Sequence, residues 1–71
     1  MTATERLLFF IRNNHYPNVA YVGKEIYEQG VTESHANFIQ LAKDNPNSIK
    51  LMNTIFVLDE SLNPNQVIIK E

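Results

Sequence analysis

The sequence predicts an α+β domain: a three-helix core followed by a C-terminal β-hairpin. Three observations predict it. Apolar residues return at helical spacing in three successive stretches between residues 2 and 43. Pro17 and Gly30 stand where the first two of those stretches should end. From Ile49 onward the period shortens to alternation, and β-branched residues dominate. With 71 residues, positions 1–71 are read as one domain.

The first helix begins at Thr2-Ala3-Thr4-Glu5, where Thr2 and Glu5 have the spacing of a capping box. Thr4 is a rival cap. The helix runs through Arg12, and Leu7, Leu8 and Ile11 share its core face. Phe9 and Phe10 cannot both join them, because the apolar run covers more than one stripe. Asn13 and Asn14 then tolerate a left-handed cap, and Pro17 drives Tyr16 out of the helical region. Asn18 is the expected N-cap of a second helix, Val19 to Gln29, with Val22 and Ile26 on its inner face. Gly30 is its expected C′ residue. Thr32 caps a third helix, residues 32–43, whose Phe38, Ile39, Leu41 and Ala42 face inward. Asp44 to Ser48 breaks it. Ile49 to Leu58 reads as the first strand of the hairpin, with Asn53 interrupting the apolar set so that regular pairing begins near Thr54. Asp59 to Asn65 is the turn, and Gln66 to Lys70 the returning strand.

Composition narrows the function. There is no cysteine, which excludes disulfides and thiolate metal sites. His15 and His35 with scattered carboxylates predict no metal centre and no cofactor. Ser34 and His35 are sequence neighbours but lack an orienting third group, and there is no glycine-rich phosphate loop. The chain is therefore not read as an enzyme. No apolar run approaches the roughly 18 residues of a membrane span, and no leader pattern follows Met1, so a cytoplasmic protein is expected. Nine asparagines with abundant Ile and Tyr point to an AT-rich coding genome, such as that of a phage or virus.

Gly30-Val31-Thr32-Glu33-Ser34-His35-Ala36-Asn37-Phe38-Ile39 resembles the centre of a helix-turn-helix. That motif wants a small residue at the turn, an apolar residue after it, and a hydroxyl capping the second helix. A helix before this segment and a hairpin after it resemble the winged-helix version, over nearly the whole chain. The resemblance implies a small transcription regulator that binds double-stranded DNA. Helix 32–43 would lie in the major groove and residues 59–65 would form the wing tip. Asn37 and Gln40 would read adenine edges, Ser34 and Lys43 would meet phosphates, and Thr32 would complete the DNA-binding set. Against DNA stands the net charge of −2, with only six Lys and Arg to displace counterions. The same scaffold binding a protein partner is the alternative. The surplus apolar surface of the first helix predicts a homodimer that buries Phe9 or Phe10.

Overall fold

A computed structural model describes residues 2–33, 40–41 and 47–70. The described elements run α1 (Ala3–Asn13), β1 (Val19–Val22), α2 (Lys24–Glu33), β2 (Gln40–Leu41), β3 (Ser48–Leu51), β4 (Thr54–Leu58) and β5 (Val67–Ile68). The five strands form one mixed sheet in the order β2-β3-β4-β1-β5. β1 runs parallel to β4, and the other neighbours are antiparallel. Both helices pack on one side of it. The class is α+β, but the expected core of three helices with a winged hairpin is overturned.

α1 forms as its local code dictates. The Thr2 hydroxyl accepts from the Glu5 amide, and the Glu5 carboxylate accepts from the Thr2 amide in return. These bonds hold the Glu5 carboxyl below its usual pKa. At the other end the Tyr16 amide reaches back to the Ile11 carbonyl at 2.9 Å, a Schellman closure with His15 at C′. His15 and Tyr16 take the left-handed φ of 59° and 56° that the sequence suggested for the asparagines.

The stretch expected to open the second helix is instead strand β1. Val19, Val22 and Ile26 do have helical spacing, yet Ala20 and Val22 also alternate with Val19 and Tyr21. Parallel pairing decides between the two periods: Val19 to Val22 lie in register with Ile55 to Leu58. The helix starts only at Lys24. Its amino end is closed by tertiary contact rather than by Asn18, because the Glu25 and Ile26 amides both donate to the Pro64 carbonyl.

α2 then passes straight through Gly30, which is buried within it rather than capping it. Thr32 is not an N-cap; its hydroxyl donates to the Glu28 carbonyl one turn back, at 3.1 Å. The extension is rewarded at Glu33. Its carboxylate accepts from the Ala3 amide at 2.8 Å, the Thr4 amide at 2.8 Å and the Thr4 hydroxyl at 2.6 Å. One side chain at the end of α2 thus satisfies free donors at the start of α1. Desolvation raises its pKa, but the bonds from Thr4 and Ala3 outweigh that and lower it. A continuous helix over 32–43 is excluded, because Gln40 and Leu41 pair with Lys50 and Ile49 as strand β2.

The expected single strand Ile49–Leu58 folds back on itself. Leu51 pairs with Thr54, leaving Met52 and Asn53 as a two-residue loop. Met52 takes φ 56°, at the position where a type II′ turn prefers glycine. β5 does not return along β4; it pairs with β1 on the far side. Residues 59–66 therefore cross over the end of β1 and are packed down, not projected as a wing. The Asp59 amide donates to the Val22 carbonyl and the Gly23 amide to the Gln66 carbonyl, both at 2.9 Å. Gly23 is required there, because a Cβ would sit 2.0 Å from the Asn63 carbonyl oxygen.

The core lies between the helices and one sheet face. Leu7, Ile11, Ala20, Val22, Ile26, Ile49, Leu51 and Phe56 are buried in one cluster. Leu8 and Phe10 flank it, and the Phe10 ring meets Phe56 edge-on at 6.3 Å.

Candidate docking face

Side chains of paired residues project to the same side of a sheet, so the register sorts the strands into two faces. Ala20, Val22, Ile49, Leu51, Thr54 and Phe56 project toward the helices and are buried. The opposite face carries Val19, Ile55 and Lys50 in one row. Ile68, Tyr21, Val57 and Ser48 form the next. Val19 is 41% exposed, and Tyr21, Ile55, Val57 and Ile68 are half-buried. Ser48 is buried and Lys50 exposed. Five apolar residues on the outer faces of three neighbouring strands, β5, β1 and β4, form a patch of the kind that marks an interface.

Two bulky residues lie in the turns at the end where β1 and β4 begin. Tyr16 is 62% exposed and Met52 56% exposed, and both hold positive φ. Their turns are tied together: the Thr54 hydroxyl donates to the Pro17 carbonyl at 2.5 Å and the Ile55 amide to the Asn18 carbonyl at 2.9 Å.

At the other end, charge is arranged over the patch. Lys70 pairs with the Asp59 carboxylate, and its ammonium lies 4.7 Å from the centre of the Tyr21 ring. The Ser61 hydroxyl donates to the other Asp59 oxygen at 2.6 Å and the Ser61 amide at 3.0 Å. Lys70 first, then Ser61, lower the Asp59 pKa to about 2.

Of the residues expected to touch DNA, only Thr32 and Gln40 are among the described residues. Thr32 lies exposed in the last turn of α2, and Gln40 belongs to β2. Ser34, Asn37 and Lys43 lie outside the described residues. The described basic groups are dispersed as well. Arg6 is bonded to the Asn65 carbonyl, Arg12 ends α1, Lys24 begins α2, Lys50 is on the outer sheet face and Lys70 is held by Asp59. The outer side of α2 is acidic. A shallow cleft of 390 Å³ lies along it between Glu25, Glu28, Gln29, Thr32 and Glu33. Of the two rings expected at a dimer interface, Phe9 is 62% exposed on α1, and Phe10 turns inward against Phe56.

Among the described residues no helix is long and apolar enough to cross a membrane. No family model, curated protein or solved structure matches the chain.

Sequence reasoning missed this face because it read Val19 to Val22 as helix. The signal that could have found it was present. Val19 and Tyr21 alternate with Ala20 and Val22 just as Ile55 and Val57 alternate with Phe56. Apolar residues at every position of β1, and from Ile55 to Leu58 in β4, are the mark of a sheet that buries or offers both faces.

Proposed function

We propose that this chain is a protein-binding module whose docking surface is the outer face of its sheet. The observation that carries the reading is the two rows that set Val19, Tyr21, Ile55, Val57 and Ile68 on the side away from both helices. A chain of this size buries only about 60% of its unfolded surface, so apolar residues left outside the core weigh on solubility and call for another use. DNA recognition becomes the second reading. It lacks a continuous helix over 32–43 to enter a groove, and the described Lys and Arg do not converge on one surface.

The test places a photo-crosslinking residue at Ile55 in the producing cell, and at Glu28 on the acidic side of α2 as control. The expected result is a discrete adduct from position 55 that disappears when Val57→Asp is added, and none from position 28. No adduct at 55, or equal adducts at both, would refute the docking face. Duplex DNA at low salt, where attraction is least screened, is expected not to bind. A salt-dependent complex would restore the DNA reading.

A further inference from the structure

We infer that the docked partner adds an extended segment of its own backbone to the sheet edge at β5. The inference rests on the docking reading above and adds the mode of recognition. Its first support is the direction of the backbone groups. β5 runs antiparallel to β1, with Val67 opposite Val22 and Ile68 opposite Tyr21. The Gly23 amide donates to the Gln66 carbonyl at 2.9 Å. Bonded and non-bonded pairs alternate along an antiparallel ladder, so Ile68 bonds with Tyr21 and Val67 does not bond with Val22. The amide and carbonyl of Val67 therefore point away from β1, where no strand lies among the described residues. Ile69, two residues on, has the same parity. An extended backbone carries donors and acceptors at the spacing such an edge requires.

Its second support is that the edge carries little of what keeps sheets apart. Proteins shield their edges with proline, bulges or lysines that face outward. Val67, Ile68 and Ile69 are all apolar, and the register to β1 holds no bulge. Lys70 is drawn back over the outer face, onto Asp59 and the Tyr21 ring. The third support is continuity with the apolar patch. The outer row of Val57, Tyr21 and Ile68 ends on β5, so an added strand sets its own alternate side chains beside Ile68. On the helix side Val67 packs half-buried against the core, and Ile69 is 39% exposed. The partner segment should thus be apolar at successive positions, as β1 is. β5 is short and the ladder gains few bonds, so the complex belongs with weak, transient interfaces.

The test compares Val67→Pro with Val67→Ala, with the photo-crosslinking residue placed at Ile69 as well as at Ile55. Proline removes the outward amide, a change an edge strand accepts, whereas alanine keeps that amide and trims more of the side chain. The expected result is the same adduct from both positions, kept in Val67→Ala and reduced about tenfold in Val67→Pro, the size of one partner carbonyl left unpaired. Circular dichroism checks that each variant folds. Hydrogen exchange gives a reading that needs no variant: the Val67 amide should exchange freely in the isolated chain and slowly in the purified adduct. A folded Val67→Pro that keeps its adduct would overturn the inference, as would an equal loss in both variants. So would a Val67 amide protected in the isolated chain or unprotected in the adduct. An adduct of twice the chain mass would assign the site to a second copy and overturn it too. An adduct from position 55 with none from position 69 would overturn it while leaving the docking reading intact. Absence of adducts at both positions would remove that reading itself.

Discussion

Gly23 separates β1 from α2, and the carbonyl of Asn63 occupies the space a side chain would need. The contact is with backbone, which cannot swing aside. Gly23→Ala should therefore push residues 63–64 off the start of α2 and release the Pro64 carbonyl from two amides. The expected cost is about 1–3 kcal/mol, as for other overpacked sites, read as a shift in denaturant midpoint. An unchanged midpoint would mean that the 59–66 segment is not packed there. Asp59 acts at the same end. Its carboxyl titrates at about 2 in the folded chain against 3.8 for the free group. The unfolded chain thus takes up the proton first as pH falls. Asp59 contributes its full stabilisation above 3.8, loses it progressively below, and contributes none once the pH has passed about 2. Asp59→Asn should be less stable than wild type at neutral pH, and the two should converge in acid. A constant difference across that window would show that the Lys70 and Ser61 contacts do not govern this group.

Elements differed in how far the sequence revealed them. α1 is local: its cap, its apolar stripe and its Schellman end all lie within 15 residues, and these were legible, though the left-handed positions fell one or two residues later than the asparagines suggested. β1 is not local. Ile55 lies far along the chain from Val19, and only that pairing makes 19–22 a strand rather than a helix turn. Helix propensity at Val19 to Val22 was a weak preference that tertiary pairing overrode. The extension of α2 past Gly30 has the same origin, since the bonds that reward it come from Ala3 and Thr4. The candidate site was illegible for this reason: it consists of the faces of strands whose partners could not be assigned. Phe56 lies on the inner face with the core, whereas Ile68 pairs with Tyr21 on the outer face. Phe56→Ala removes a fully buried ring and its edge contact with Phe10, and should cost about 3–5 kcal/mol. In a domain this small such a loss should leave the chain largely unfolded at room temperature, a loss visible in its circular dichroism. A native-like melting curve would contradict the assigned strand faces.

The described elements make two layers, with both helices on one face of the sheet and Val19, Tyr21, Ile55, Val57 and Ile68 on the other. Among the described residues, Glu25, Glu28 and Glu33 lie on α2, and Asp59, paired with Lys70, and Glu60 follow β4. The proposed docking reading uses the sheet face, and the net charge of −2 opposes nucleic acid. The central claim is that Ile55 and its neighbours are apolar without being needed for the fold. The most direct measurement is the denaturant midpoint of Ile55→Lys, taken at a concentration where the chain is monomeric. If the outer face is open, the lysine stem lies along the sheet with its ammonium in water. The midpoint should then move by no more than about 0.5 kcal/mol in stability, as at other surface sites. A loss of several kcal/mol would mean that Ile55 is covered within its own chain, and the docking face would not exist.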